Sequence, residues 1–224
     1  MKELAIIATY LIGLGEVLLG LFFWKTNGNQ IIRKILGFLA IVTGAWVLST
    51  VGAAYTENAT AQNLLPRLTY AFGVFMVTAV LLFSLLFPLP IIRIDRFHIF
   101  LLFIPAIIFS FEIFGTNTVL NYYVSSSTFQ GAWHGGPLFQ YYNIYLIALY
   151  TLAIGILLYR LRKADVTYRH TLLPVALSFV LGGLPGVIND LIIPLFTGYA
   201  KDPLYGTSAT LVWLGVTSYI VLKK

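Results

Sequence analysis

Cysteine is absent from the 224 residues, which removes disulfides, thiolate catalysis and cysteine-ligated metals. Charge is nearly as scarce. Charged residues make up 10% of the chain and apolar ones 59%, far from the roughly quarter-charged composition of soluble domains. No phosphate-binding glycine loop followed by Lys-Ser or Lys-Thr occurs, no His-Glu-x-x-His and no nucleophile elbow, so nucleotide and hydrolytic catalysis lack a motif. The last apolar run, residues 206–222, holds no lysine, which excludes a retinal Schiff base there.

What the chain does have is long apolar runs. A hydrocarbon core about 30 Å thick needs roughly 20 apolar residues per helix. Seven such helices fit the length: residues 4–24, 35–55, 68–87, 100–114, 140–159, 171–195 and 206–222. The expected fold is therefore an all-α integral membrane protein, a single domain over residues 1–224 formed by a bundle of seven transmembrane helices. The first run is read as a retained helix rather than a signal peptide, because Trp24-Lys25 ends it without a small-residue cleavage pattern.

The excess of 14 Lys and Arg over 8 Asp and Glu does not point to nucleic acid, because the basic residues sit at the ends of the apolar runs. Eleven of them fall on one side: Lys25, Arg33, Lys34, Arg93, Arg96, Arg160, Arg162, Lys163, Arg169, Lys223 and Lys224. Three fall on the other: Lys2, Arg67 and Lys201. The positive-inside rule puts the first side in the cytoplasm, with the amino terminus out and the carboxyl terminus in. Tyr55, Tyr122, Tyr123, Trp133, Tyr141, Tyr142, Tyr199 and Tyr205 then form an outer interfacial belt.

Ionisable groups at lipid depth are costly, about 2.5 to 3.5 kcal/mol each on insertion scales, and so mark candidates. Glu16 lies in the middle of the first helix, either as an interhelical contact or in a functional role. Glu112 is near the outer end of the fourth and Asp190 near the outer end of the sixth. Asp190 and Asn189 sit in a segment broken by Gly182, Gly183, Pro185, Gly186 and Pro194. Such a break frees backbone groups to line a polar cavity or to be capped by these side chains. Arg67, after Pro66, is placed to pair with Glu112 or Asp190, to clamp an anionic ligand, or to anchor the surface. Trp133 and His134 lie in the uncharged loop before Gly135-Gly-Pro137, and Tyr141 follows at the entry to the fifth helix. A lone loop histidine is solvated by default, so neither metal nor cofactor is expected.

The second half carries an ordered set of features. The uncharged loop ends in Gly135-Gly-Pro137 and leads into Tyr141-Tyr-Asn-Ile-Tyr145. The exit Tyr159-Arg-Leu-Arg-Lys163 and then Tyr168-Arg-His170 precede Leu181-Gly-Gly-Leu-Pro-Gly-Val-Ile-Asn-Asp190, and Tyr219-Ile-Val-Leu-Lys-Lys224 closes the chain. In this order they resemble the seven-helix amino-terminal sensor region of many prokaryotic histidine kinases and some diguanylate cyclases, over about the last 100 residues. Trp46 in the second helix agrees as well.

The resemblance implies a non-enzymatic ligand-sensing domain of a signalling receptor in the cell membrane. Its last helix would continue past Lys224 into a cytoplasmic histidine kinase or cyclase of a two-component system. Implied partners are membrane lipids, a small-molecule or lipid ligand from the extracytoplasmic side, and a second copy in a homodimer. The alternative is a small seven-helix transporter of a sugar or other small solute, built as two three-helix repeats around the fourth helix. Matching breaks would then be expected in both halves, and the second helix has no proline to match Pro174 and Pro185. A lipid-modifying enzyme using Glu16 or Asp190 would need convergent polar groups.

Overall fold

The computed structural model describes residues 2–26, 30–88, 95–122, 133–197 and 203–223. Arg93, Tyr123, Tyr199, Lys201 and Lys224 lie outside the described residues, as do the side chains of Lys2, Tyr122, Trp133, His134 and Tyr205. The helices are α1 (Lys2–Lys25), α2 (Gln30–Tyr55), α3 (Ala59–Leu86), α4 (Arg96–Gly115) and α5 (Phe139–Lys163). The sixth, α6, runs without a gap through Val166–Ser178, Phe179–Gly183, Leu184–Val187, Ile188–Ile192 and Ile193–Thr197. The last, α7, is Pro203–Leu222. Six are long and apolar enough to cross a membrane, and the seventh carries a shorter apolar stretch, Ala209–Leu222. The chain is thus a multi-pass all-α membrane bundle.

Two elements differ from the sequence reading. α3 starts about nine residues before the expected Leu68, because Asn58 caps it by accepting from the Ala61 amide at 3.1 Å. The polar turns that looked like a loop are helical backbone standing above the apolar band, and Pro66 fits inside the helix. The connection after α4 holds a short antiparallel hairpin, β1 (Leu120–Tyr122) with β2 (Trp133–Gly135), pairing Leu120 with Gly135. Gly136 is needed where the chain leaves it: a Cβ there would lie 2.2 Å from the Thr118 carbonyl oxygen.

α1 and α2 approach most closely through four glycines. A Cβ on Gly44 would lie 2.5 Å from the Gly13 carbonyl oxygen, and one on Gly20 would lie 2.6 Å from that of Gly37. The seven-residue spacing on both helices lets two antiparallel backbones meet twice, the way small residues draw helices together in lipid.

Each of α2, α3, α5, α6 and α7 packs on the next in that order, and α7 returns to α2, so five helices close a ring. α1 sits outside it against α2 and α7, and α4 sits outside against α3. The half of the ring toward the carboxyl-terminal end of α3 is filled by aromatic side chains. Phe83 stacks on Phe87 with centroids 4.9 Å apart, and Phe179 lies 6.0 Å from Phe83 and 5.0 Å from Trp213. The Tyr150 hydroxyl donates to the Phe179 carbonyl.

α6 stays helical through Pro185 and Pro194 by widening into π turns twice, at Phe179–Gly183 and Ile188–Ile192. Proline has no N–H for the carbonyl four residues back, and its ring collides with that carbonyl. The carbonyls at risk from Pro185 and Pro194 belong to Leu181 and Asp190, one in each π turn. The extra residue in the turn moves them clear.

Candidate functional site

Within the ring, polar groups of α6 meet aromatic side chains of α2, α3 and α5 in one cluster. Trp46 of α2 is buried and bridges two glycines. A Cβ on Gly73 of α3 would lie 3.8 Å from its indole nitrogen, and a Cβ on Gly206 of α7 would lie 3.2 Å from its far ring edge. Tyr142 of α5 donates its hydroxyl to the Tyr70 carbonyl, with ring centroids 5.6 Å apart, and Phe109 of α4 meets Tyr142 edge-on at 5.3 Å.

From the second π turn of α6, Asp190 reaches across to α7. Its Oδ2 would be 2.0 Å from a Cβ on Gly206, so only glycine leaves room for it. Asn189 donates to Asp190 Oδ1 at 2.6 Å. Asp190 also acts electrostatically on the Tyr70 hydroxyl. Trp46 of α2 thus lies beside Tyr142 of α5 at Gly73 and beside Asp190 of α6 at Gly206, with Tyr70 of α3 joined through Tyr142.

Asn143 of α5 is fully buried, and neither end of its amide has a hydrogen-bond partner. It lies two turns outward of Tyr150 on the same helix face, the face whose Tyr150 hydroxyl meets α6. α5 as a whole also packs on the second π turn of α6.

The other candidates separate from this cluster. Arg67 does not pair with Glu112 or Asp190. Its guanidinium donates to the Ile113 carbonyl, to the Thr116 carbonyl at 3.1 Å and to Asn117 Oδ1 at 2.9 Å, while its Nε bonds Asn63 at 3.1 Å. It is therefore the C-terminal cap of α4, satisfying carbonyls the helix cannot. Glu112 accepts from Thr116 at 3.0 Å and Thr118 at 2.8 Å, fixing the chain that leaves the same helix end. Tyr141 is 67% exposed and faces outward. Its neighbour Tyr142, read as part of the outer belt, is instead buried in the bundle.

β2 pairs Trp133 with Tyr122 and His134 with Asn121. Glu16 stands alone between α1 and α7, where Thr210 donates to its Oε1 at 2.6 Å and its Oε2 has no partner. On the cytoplasmic side Asp95 caps α4. The His98 amide at 2.9 Å, and then the His98 ring nitrogen at 2.6 Å, hold its carboxyl below the ordinary carboxylate range.

Of the sequence candidates, Asn189 and Asp190 stand together in the second π turn beside Gly206, while Tyr70, Tyr142 and Asn143 were not among the candidates. Asn143 left a signal: it is a lone amide in an apolar span, a residue type that needs a partner at that depth. Tyr70 and Tyr142 left none, since tyrosines near a helix end read equally as belt.

A family model described as the N-terminal 7TM region of histidine kinase matches residues 8–222. No curated protein matches the chain.

Proposed function

We propose, given that the chain belongs to the family of N-terminal seven-transmembrane regions of histidine kinases, that a small molecule entering from outside opens a chamber among the groups at Gly73 and Gly206 and moves α6 against α7. The chain is a sensor region and not a catalytic domain, and its family favours that role over solute transport. The aromatic packing of Phe83, Phe179 and Trp213 below the chamber supports a binding site over a through-path.

The observation that carries the reading is the contact of Asp190 with Gly206. It joins a wall of the chamber, in the broken part of α6, to the first turn of the helix whose other end reaches the cytoplasm. A ligand that binds the two arrangements of α6 with different affinity shifts their populations, and α7 carries the difference inward. In the longer protein a kinase would follow α7, in the cell membrane and as a homodimer.

The test needs no ligand. Gly73→Leu puts bulk where the chamber would open: its Cβ alone meets Tyr142 and Trp46 at 3.5 Å or more, and the rest of the side chain must displace them. Spin labels placed through Arg169→Cys and Lys223→Cys in this cysteine-free chain report the α6–α7 distance at the cytoplasmic end. The leucine should shift that distance by about 1–2 Å, the scale of helix shifts in switching proteins. An unchanged distance distribution refutes the coupling.

A further inference from the structure

We infer that Glu16 carries a proton and shares it with α7, so that the contact between α1 and α7 is a clasp held by one proton and opened when that proton is withdrawn. The clasp lies outside the α6–α7 contact at Gly206 and needs no ligand. The Thr210 hydroxyl oxygen is 2.6 Å from Glu16 Oε1 and 2.7 Å from the Thr207 carbonyl oxygen. Heavy atoms alone make Thr210 the donor to both, yet a hydroxyl has a single proton. With Glu16 ionised, one of the two short contacts sets oxygen against oxygen with no proton between them. With Glu16 as the acid, its Oε1–H donates to Thr210 Oγ1, and the Thr210 hydroxyl donates to the Thr207 carbonyl. A relay of two hydrogen bonds then accounts for both distances.

The second carboxyl oxygen agrees. Glu16 is buried, and Oε2 has no hydrogen-bond partner among the described residues. A carboxylate spreads its charge over both oxygens, so ionisation would bury charge at Oε2 without a donor, whereas the carbonyl oxygen of an acid carries none. No cation takes the proton's place. Glu16 is level with Gly44 of α2, whose Cβ would meet Gly13 and Val17. The titratable groups of α2, Arg33, Lys34 and Tyr55, stand ten or eleven residues from Gly44, about 15 Å along the axis. On α7, Tyr219 and Lys223 are nine and thirteen residues from Thr210, and Tyr205 is five residues before it, about 140° round the helix. On α1, Glu3 and Lys25 are at the ends and Tyr10 is on the exposed face. Asp190 of α6 meets α7 at Gly206, one turn outward of Thr210, and is another acid. Once the proton passes to water, the carboxylate keeps at most one donor in the span, and a charge at that depth leaves for the interface. α1 stays on α2 through their four close glycines, so the helix released is α7.

Infrared spectroscopy of the chain in nanodiscs reads the carbonyl band of a protonated carboxyl, and Glu16→Gln assigns the band by removing it. Spin labels through Lys25→Cys and Lys223→Cys in this cysteine-free chain read the distance between the cytoplasmic ends of α1 and α7. The Glu16 band should be present at neutral pH and disappear in one step as pH rises, while the label distance widens by about 1–2 Å over the same step. Glu16→Gln, whose amide donates to Thr210 as the acid does, should fold like the parent and hold one distance at every pH. No band at neutral pH that Glu16→Gln removes overturns the proton. A band lost without a change in distance, a band that persists wherever the chain stays folded, or a distance change that survives in Glu16→Gln overturns the clasp. The sensor reading is tested separately, by the α6–α7 distance at fixed pH.

Discussion

Removing the Thr210 hydroxyl, as Thr210→Val, strands a carboxyl at mid-membrane. Glu16 is 2% exposed, and its one hydrogen-bond partner among the described residues is Thr210 Oγ1 at 2.6 Å, a hydroxyl that also lies 2.7 Å from the Thr207 carbonyl. The valine is isosteric, so packing is kept and the loss is the bond. Leaving a buried polar group unpartnered costs about 1–3 kcal/mol, and we take about 2. That is roughly a thirty-fold drop in the folding equilibrium.

Glu16→Leu removes the group that needs the bond, while Thr210 keeps the Thr207 carbonyl, so this variant should be near neutral or stabilising. In the leucine background Thr210→Val should then cost nearly nothing. The double-mutant cycle therefore closes with a coupling of about 2 kcal/mol. Glu16→Gln keeps the acceptor and adds amide protons, and should match the parent. Detergent-driven unfolding in bicelles gives all four free energies. If Thr210→Val costs the same in both backgrounds, the hydrogen bond is not what joins α1 to α7.

Gly44→Leu should separate α1 from α2, since its Cβ would meet the Gly13 carbonyl oxygen at 2.5 Å and Val17 at 2.8 Å. Overpacking of this kind costs about 1–3 kcal/mol, whereas Gly15→Leu, whose Cβ meets nothing within 4 Å, should unfold like the parent. Arg67→Ala should leave the α4 carbonyls uncapped and speed amide exchange over residues 113–118, with no change at Trp46 or Asp190. The Asp95 carboxyl is held below its ordinary value of 3.8, so its contribution to α4 is present above that pH and is lost as pH falls through the lowered value. Exchange at residues 96–99 should therefore rise only in strong acid, and Asp95→Asn, a capping residue without the charge, should flatten that rise.

The spans were legible because a bilayer demands about 20 apolar residues whatever their neighbours, and the break in α6 was legible from Pro185 and Pro194. Asn189 and Asp190 stood out as polar groups in that break. Other features depend on partners distant in sequence. Glu16 is settled by Thr210, 194 residues away, and Arg67 by backbone carbonyls, which carry no sequence label. The early start of α3 was hidden because polar residues above the membrane follow no apolar period, and only the Asn58 cap marks it. The hairpin is three residues per strand, too short for alternation to register.

The two π turns also fix an angle. Each admits one residue more than an α turn, and a residue spans about 100° of an α-helix. Everything beyond Gly183 is therefore swung by about that amount relative to an unbroken rod, and everything beyond Ile192 by twice as much. Which way Asp190 looks is thus a matter of phase, set by the count of residues behind it. Deleting a single residue within Phe179–Gly183 would turn the carboxylate away from Gly206 while leaving every side chain around that glycine chemically intact.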